Sequence, residues 1–385
     1  MATADFLVIG GGIAGLSAAA RLVRHGKVVV LEAEEALGYH SSGRSVTFSH
    51  YGIGDAAVRG LTSHSRAFFL DPPGGFSEQP IARTASALFV ATEEMLPELH
   101  ALQAQMERFT DTTSYVGEAE IRALCPMLKT GERAIVSGVV ERSGLRLDAD
   151  MLLQGFARVV REGGGEIHTG RRIARVAHAR GDWEVETETG ERWMSPILIN
   201  AAGAWADGVA TRAGVTPLGL QPKRRTIIVV DPPPGHDVRG WPFVKTAADL
   251  FYMLPEAGRL LASPVDEVEC EPCDAQPEDY DLALAAHRLE EYTTLSVRRI
   301  AHRWAGLRTF TADRVPTAGF APDAPGFFWL AGQGGYGLQT APAMAEIAEA
   351  LITGGDWPAG LSGLGVGPEH IRPERLLTAA EAAAP

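Results

Sequence analysis

The sequence predicts an α/β protein with a second, mainly antiparallel region, and three observations lead to this class. In residues 1–32 an apolar run of strand length is followed by glycines, a stretch with helical periodicity and a second apolar run. The order of strand, glycine loop and helix returns at residues 327–351. Between these units, residues 221–300 contain charged strand-like runs separated by proline-rich loops, which is typical of an antiparallel sheet. The length of 385 residues allows two domains.

The first predicted strand, residues 5–9, runs directly into a glycine-rich turn. Gly10, Gly12 and Gly15 have the G-x-G-x-x-G spacing. The first glycine permits a tight turn, the second lets the backbone approach a pyrophosphate, and the third lets the next helix pack close to the strand. The N-terminus of that helix presents unpaired N–H groups and the positive end of its dipole, which favour a phosphate.

Glu32 ends the second predicted strand, residues 27–31. Its carboxylate can accept hydrogen bonds from a ribose 2′-OH. Because strand, glycines, helix, strand and acid occur in this order, the N-terminal unit is predicted to bind an adenine dinucleotide. The glycines within residues 332–337 follow the strand at 327–330, and they would let the backbone approach a flat cofactor ring.

The remaining elements follow from periodicity and from cap and turn residues. A polar loop at residues 39–50, rich in serine and glycine, could donate hydrogen bonds to a cofactor. Helices are predicted near residues 55–70, 92–107, 148–162, 278–295 and 340–351. Further strands are predicted at residues 138–142, 166–169, 172–178, 183–188, 195–200, 223–230, 249–254 and 259–263.

Composition argues against several classes of protein. The formal net charge of −13 disfavours nucleic acid and anionic membrane surfaces as partners, because either would favour a basic stripe. No apolar run approaches the roughly 18 residues of a membrane span. Three cysteines do not make a disulfide framework, and no secretory signal is recognisable. A cytoplasmic location is therefore expected, and a loose association with the inner face of the membrane is left open. Cys270 and Cys273 lie in an acidic loop without a second cysteine or histidine pair, so no metal site is predicted.

Several longer motifs resemble those of one family. These motifs are residues 10–15, 40–45 (HSSGRS), 200–205 (NAAGAW) and 332–339 (GQGGYGLQ). Together they resemble the D-amino-acid-oxidase-like, FAD-dependent oxidoreductases, and the resemblance covers nearly the whole chain. Within this family, the bacterial D-arginine dehydrogenases are the most similar group, through residues 65–69, 72–76, 219–225, 294–299 and 304–308.

The resemblance implies a Rossmann-like FAD-binding domain assembled from separated segments, and an α+β substrate-binding domain with a mainly antiparallel sheet. The implied FAD-binding segments are residues 1–47, 141–218 and 303–385. The implied substrate-binding segments are residues 48–140 and 219–302.

The resemblance also implies noncovalent FAD. Some relatives attach the flavin through a cysteine near the C-terminal third, and no cysteine follows Cys273 here. The implied FAD-binding residues are Gly10, Gly12, Ile13, Ala14, Gly15, Glu32, Ala33, Ser41, Ser42, Arg44, Ser45, Val46, Ile173, Ala202, Gly203, Trp205, Gly335, Tyr336, Gly337, Leu338 and Gln339.

The residue types and the resemblance together point to a carboxylate clamp. A flavin carries the difficult step of amino acid oxidation, so the protein must mainly fix the substrate carboxylate. Arg225 and Arg308 are the candidate clamp residues, because arginine is planar, permanently charged and bidentate. Tyr252 would donate its hydroxyl to the same carboxylate, the Gly335 carbonyl would accept from the substrate amine, and Gln339 would hold the loop. Surface ion pairing for the arginines and core packing for the tyrosine are the alternatives.

The predicted side-chain pocket differs from that of the arginine dehydrogenases. Ala87 stands where they have an acidic residue that pairs with the substrate guanidinium, so arginine specificity is not expected. Lys245, close to Phe243, could point inward and make the pocket positive, or it could extend to solvent. His50 on the facing loop is a candidate general base, with an exposed loop histidine as the alternative.

The predicted function is FAD-dependent oxidative deamination of a D-amino acid, a reaction of amino acid catabolism. A hydride leaves Cα for the flavin, and the imino acid is hydrolysed to a 2-oxo acid and ammonia. The electron acceptor would be a quinone, another carrier or O₂. Two alternatives remain: oxidation of a 2-hydroxy acid or of a secondary amine such as a glycine derivative, with His50 taking the hydroxyl proton of a hydroxy acid, and a noncatalytic FAD-binding or assembly protein.

Overall fold

The computed structural model describes residues 2–233 and 235–377. Its strands are β1 (Ala2–Thr3), β2 (Phe6–Ile9), β3 (Val28–Leu31), β4 (Phe48–Ser49), β5 (Ala82–Thr84), β6 (Ala87–Ala91), β7 (Thr113–Gly117), β8 (Ser137–Glu141), β9 (Leu145–Leu147), β10 (Glu166–His168), β11 (Ile173–Ala179), β12 (Asp182–Thr187), β13 (Arg192–Ser195), β14 (Ile197–Asn200), β15 (Gln221–Val230), β16 (Phe243–Thr246), β17 (Tyr252–Glu256), β18 (Arg259–Ser263), β19 (Val268–Glu269), β20 (His302–Phe310), β21 (Thr317–Phe320) and β22 (Phe327–Ala331). Its α-helices are α1 (Ile13–Leu22), α2 (Ala56–Leu70), α3 (Leu96–Met106), α4 (Glu118–Leu124), α5 (Ala149–Glu162), α6 (Ala206–Ala213), α7 (Asp279–Tyr292), α8 (Gly337–Thr353) and α9 (Ala359–Gly363). No helix in this part of the chain is long and apolar enough to cross a membrane.

A sheet that we call the parallel sheet carries the glycine motif. It consists, in order, of β10, β3, β2, β14, β22 and β21, and all neighbours are parallel except β21 and β22. Both faces are buried: Phe6 and Val8 of β2 pack in one core with α1 and α8, while Leu7 and Ile9 pack in another with β12, β13 and α6. Burial on both faces explains why these strands read as continuous apolar runs.

A second sheet, the large sheet, has its own core. It consists, in order, of β19, β15, β18, β17, β16, β6, β8 and β7, with β20 paired to β15. All its pairs are antiparallel except β6 with β16. Helix α7 packs near β15, and α3 packs near β6 and β8. The predicted class, an α/β unit with a mainly antiparallel second region, is confirmed.

The strand that carries Arg308, β20, lies in the large sheet, whereas the predicted segments assign it to the FAD-binding domain. Along its whole length β20 pairs with β15, so residues 303–310 are part of the large sheet rather than of the FAD-binding unit. Long-range pairing decides this assignment, and no local pattern shows it. The end of the predicted third FAD-binding segment, residues 378–385, lies outside the described residues.

The predicted elements agree with the structure apart from shifted ends and some omissions. Asp55 caps α2 and Asp148 caps α5, each by accepting a backbone N–H at 2.9 Å, as helix starts of this type require. The strand predicted at 249–254 lies at Tyr252–Glu256. The last long helix begins earlier than predicted, at Gly337, and continues through Pro342. The elements that periodicity missed include β6, β7, β16, β20, β21 and α4.

Candidate active site

The carboxyl ends of the parallel strands open into a cleft that we call the adenine cleft. The predicted FAD-binding residues that line it are Gly10, Gly12, Glu32, Ala33, Ser41, Ser42, Ile173, Ala202, Gly203 and Trp205. Open α/β sheets bind ligands at this edge, where the strand order reverses. The cleft therefore lies where the sequence predicts the adenosine half of the dinucleotide.

The glycines of the motif have the separate roles that their spacing predicts. Gly10 has φ +110°, and a side chain there would overlap the carbonyl oxygen of Ala201. A methyl group on Gly15 would overlap the carbonyl oxygen of Gly10, so this glycine acts by close helix–strand packing. Gly15 does not line the cleft, and its predicted place among the cofactor-contacting residues is a correction. Gly12 does line the cleft, and a methyl group on it would lie 3.2 Å from Ser42 Oγ.

The polar side chains of the cleft are already engaged within the protein. Glu32 accepts from the backbone N–H of Gly11 at 2.6 Å and of Glu34 at 2.8 Å. Ser42 Oγ accepts from the N–H of Ile13 at 3.0 Å, at the start of α1. These bonds fix the two loops around the helix N-terminus, so the loop backbone shapes the cleft.

Arg44 is placed differently from the prediction. It lines the cavity next to the adenine cleft, but its guanidinium donates to the carbonyls of Ala275 and Ala305 and pairs with Asp274 at 2.5 Å. Its Nε donates to the carbonyl of Tyr39. Because all its nitrogens have partners, Arg44 joins the polar loop at residues 39–50 to β20 and to residues 274–275, and it is not a free phosphate ligand.

The neighbouring cavity, which we call the ring cavity, is lined by Ile13, Ala14, Ser45, Val46, Gly335, Gly337 and Leu338. It shares Gly12, Ser41, Ser42 and Gly203 with the adenine cleft, so the two spaces adjoin. FAD fits this donor set: a helix N-terminus at the junction, a glycine-rich backbone on both sides and an acid at the adenosine end.

The third cavity, the substrate cavity, has a volume of about 950 Å³ and lies against one face of the large sheet. Strand register puts the predicted clamp on this face. Lys223 pairs with Arg308, and Arg225 is two residues further along the same strand, so the two arginines are diagonal neighbours. Tyr252 on β17 pairs with Lys245 on β16, and β18 separates these strands from β15 in the same sheet.

The clamp residues carry donors without protein partners. Arg225 Nη1 and Tyr252 Oη are buried and make no hydrogen bond within the described chain. Arg225 is otherwise held through Nε, which donates to the Asp266 carbonyl at 2.7 Å. Arg308 makes no hydrogen bond or ion pair with any described residue, and burial together with Arg225 lowers the pKa of its guanidinium to about 10. Buried unpaired donors of this kind are costly unless a ligand accepts from them.

His50 is buried and is not the exposed loop residue considered above. Its Nδ1 accepts from the N–H of Gly52 at 3.0 Å, so a neutral ring carries its proton on Nε2. Burial, reinforced by Lys245 and Arg59, holds the pKa of His50 well below its usual value. The predicted role of general base is therefore wrong for this arrangement, because the nitrogen that remains available is a donor.

Lys245 points inward, which settles the two alternatives. It is buried, lines the substrate cavity, donates to the Gly52 carbonyl at 3.3 Å and pairs with Asp249. Burial lowers the pKa of its ammonium group. Phe243 also lines the cavity.

Ala87 does not line the substrate cavity, which corrects its prediction as a substrate contact. It is fully buried in β6 and pairs with Phe243. The rings of Phe48 and His50 stack on Phe243 with centroids 5.0 Å away, and they cover this end of the sheet face.

The C-terminal glycine loop adjoins the clamp. Gly335 lines both the ring cavity and the substrate cavity, and a methyl group on it would lie 2.7 Å from Arg308 Nη1. Gln339 accepts from the N–H of His50 and donates to Thr62 at 2.7 Å, which agrees with its predicted loop-holding role. Tyr336 and Gln339 line the substrate cavity and not the ring cavity, so their prediction as FAD contacts is corrected.

Sequence reasoning missed several charged residues of the substrate cavity, among them Arg59, Glu267 and Arg314. Glu267 pairs with Arg314 at 2.8 Å and accepts from Arg225 at 3.3 Å. The signal for Arg59 was available, because it is a buried arginine among the apolar residues of the first turns of α2. No local pattern marks the other two.

Comparisons with known proteins identify the family of the chain. The family model for FAD dependent oxidoreductases, DAO, matches residues 5–351. The chain is 25% identical over 409 aligned residues to FAD-dependent oxidoreductase domain-containing protein 1 of Bos taurus, covering 91% of this chain and 81% of that protein. The fold is similar to that of L-proline dehydrogenase from P. horikoshii, with TM-score 0.83, 21% identity and coverage of 98% and 99% of the two chains. Glycine oxidase from Geobacillus kaustophilus gives TM-score 0.81, 18% identity and coverage of 92% and 96%.

These solved structures show the fold alone at such identities, and the closer resemblance to D-arginine dehydrogenases stays a prediction. The family model, in contrast, spans most of the chain, and it includes both glycine loops and the clamp strands. The chain therefore belongs to the DAO family of FAD-dependent oxidoreductases.

Proposed function

We propose that the protein oxidises a D-amino acid at Cα with FAD and that the product is an imino acid, which water converts to a 2-oxo acid and ammonia. The observation that carries this proposal is the set of unpartnered donors on one sheet face: Arg225 Nη1, Tyr252 Oη and the guanidinium of Arg308. A substrate carboxylate would accept from all three. Charge-assisted bonds of this kind are among the strongest in proteins.

Bound FAD supplies the two-electron acceptor for the hydride that leaves Cα. The chain's own contribution is placement. The clamp holds the carboxylate, and the Gly335 carbonyl is proposed to accept from the amine. The substrate ammonium group first loses a proton to solvent and so becomes a neutral amine. When the hydride leaves Cα, the lone pair of this amine forms the Cα–N double bond of the imino acid. His50 donates through Nε2 and orients the substrate, since Nδ1 is already used by Gly52.

The substrate is not proposed to be arginine. Ala87 supplies no anion, and cations line the substrate cavity, among them Arg59, Lys245 and Arg314. Asp249, the acid nearest to Lys245, is largely exposed and already paired. A guanidinium side chain would therefore meet like charges.

The test is anaerobic bleaching of the flavin absorbance by a substrate panel. D- and L-amino acids, glycine derivatives and 2-hydroxy acids are mixed with the holoprotein, and reduction rates and dissociation constants are measured. The proposal expects D-amino acids to reduce the flavin fastest, with D-arginine not the best. Faster reduction by 2-hydroxy acids or by L-enantiomers would replace the proposal with that chemistry.

Several properties accompany the proposal. FAD is proposed to be dissociable, so acid precipitation should leave the flavin in the supernatant. The electron acceptor, whether a quinone, another carrier or O₂, and a cytoplasmic location are proposed with it. The division into an FAD-binding and a substrate-binding domain is also proposed, with β20 moved to the latter.

A further inference from the structure

A second group of donors lines the substrate cavity beyond the clamp. Arg59 on α2 is only 4% exposed. Its Nε donates to the Tyr51 carbonyl at 2.7 Å, while its two Nη groups make no hydrogen bond or ion pair with the residues that the structure describes. Arg59 lines the cavity. A buried guanidinium without a counter-ion is costly, and an anion in the cavity would offset that cost.

Residues 50–52 bring Arg59 together with two other donors. The carbonyl of Tyr51 accepts from Arg59, the N–H of Gly52 fixes the tautomer of His50, and the carbonyl of Gly52 accepts from Lys245. His50 Nε2 has no partner within residues 2–233 and 235–377. We call Arg59, His50 and Lys245 the distal donors.

The acids that line the cavity do not neutralise Arg59 or His50. Each is engaged elsewhere or exposed: Asp55 caps α2, Asp249 pairs with Lys245, Glu267 pairs with Arg314, Asp313 pairs with Arg375, and Glu98 is exposed. Burial lowers the pKa of the Arg59 guanidinium, with Asp55 opposing the shift only in part. The distal part of the cavity therefore contains a buried guanidinium without an ion-pair partner, and unpaired donors beside it.

We propose that the distal donors bind a carboxylate on the substrate side chain, so that the site selects dicarboxylic amino acids. This inference rests on the proposed function for the clamp, which takes the α-carboxylate. Lys245 and Tyr252 lie on hydrogen-bonded neighbouring strands, whose backbones are about 5 Å apart. Lys245 and Tyr252 both line the substrate cavity, so one ligand with two carboxylates can contact the clamp and the distal donors together.

The decisive experiment compares ligands of the same shape that differ in one charge. D-Glutamate and D-glutamine are compared by kcat/KM, and glutarate and its monoamide are compared by perturbation of the flavin spectrum of the holoprotein. We expect D-glutamate and glutarate to be favoured by about tenfold or more, because the neutral amide does not compensate the buried guanidinium. Equal or weaker binding of the dianions would overturn the inference.

Substitutions of Arg59 test whether this residue causes the preference for the second carboxylate. Arg59→Met should reduce the preference for glutarate over its monoamide to near unity, and Arg59→Lys should restore part of it. Arg108→Met is the matched control: Arg108 is exposed, lies close enough to Arg59 to lower its pKa, and does not line the cavity. An unchanged preference in Arg59→Met, or an equal loss in Arg108→Met, would count against the distal donors.

The two proposals fail in different ways. If no amino acid reduces the flavin, the proposed function is wrong, but the glutarate comparison still decides whether the distal donors bind a carboxylate. If neutral D-amino acids reduce the flavin faster than D-glutamate does, the proposed function holds and the dicarboxylic preference is wrong. Should Arg59→Met fail to fold, the wild-type comparison alone decides the outcome.

Discussion

The walls of the adenine cleft and of the substrate cavity use polar side chains in opposite ways. In the cleft, Glu32 and Ser42 bond to neighbouring backbone, and Arg44 in the adjoining ring cavity has a partner for every nitrogen. On the substrate side, Arg308 and the Nη groups of Arg59 have no partner among the described residues. Under the proposed function, backbone shape recognises the cofactor, and charged donors remain available for the substrate.

This difference has an energetic consequence. Side-chain bonds that are made within the fold stabilise it, whereas buried donors without partners lower the free energy of unfolding until a ligand binds. Substitutions on the cofactor side should therefore damage binding and the fold together. Substitutions on the substrate side should damage function without such loss of stability, which is a known trade-off at active sites.

The largest effect is expected at Gly12. Gly12→Val should abolish FAD retention, because a branched side chain would enter the space beside Ser42 where the backbone must approach the pyrophosphate. The ratio of flavin to protein absorbance after purification measures this. Gly74→Ala is the control, since nothing lies within 4 Å of a methyl group there. Normal FAD content in Gly12→Val would contradict the cofactor assignment.

Arg308→Met should keep FAD and lower kcat/KM about a hundredfold or more, since removing one partner of a buried charge pair costs about 2–5 kcal/mol. The melting temperature of the substrate-free protein should stay the same or rise, because a half-buried cation without an ion-pair partner is removed. Arg303→Met, an exposed position on the same strand, is the control. A change of less than tenfold in kcat/KM would exclude Arg308 from the clamp.

Glu141 is expected to make the free energy of unfolding depend on pH. Burial raises the pKa of this carboxyl group from 4.5 to about 7. The folded state therefore binds more protons than the unfolded state between these values, and the free energy of unfolding falls as pH rises through this window. Glu141→Gln keeps an acceptor for the N–H of Tyr51 and should stabilise the protein by up to about 3 kcal/mol above the window, with little effect below it.

Denaturant unfolding of Glu141→Gln on both sides of that pH window measures the effect. The exposed, paired Glu120 provides the control variant Glu120→Gln. Stabilisation of Glu141→Gln that does not depend on pH would show that the carboxyl group is not the cause.

The smallest effect is expected at Asp274, which pairs with Arg44 between the two regions. Asp274→Asn should change the free energy of unfolding by at most about 1 kcal/mol, because its side chain is 49% exposed and surface ion pairs contribute little. FAD content should remain normal. Loss of FAD in this variant would show that the cofactor side depends on a charged contact after all.

The sequence by itself determined the cofactor half. The glycine spacing and the order of strand, turn and helix are local properties, so the sequence alone predicts the turn at Gly10 and the helix that follows it. The contacts of Gly10 with Ala201 and of Gly12 with Ser42 come from residues far along the chain. The clamp residues Arg225, Tyr252 and Arg308 were predicted from their residue types together with the resemblance, and neither gives their geometry. Their common place on one sheet face supports the proposed clamp.

Only the tertiary structure decided what surrounds the substrate. It places β20 in the large sheet, gives Arg44 its partners, turns Lys245 inward and fixes the proton of His50 on Nε2. It also leaves the Nη groups of Arg59 without a partner among the described residues. Each of these facts depends on contacts between residues far apart in sequence, such as Gly52 with Lys245. Strand register and burial set such contacts, and a local sequence pattern contains neither.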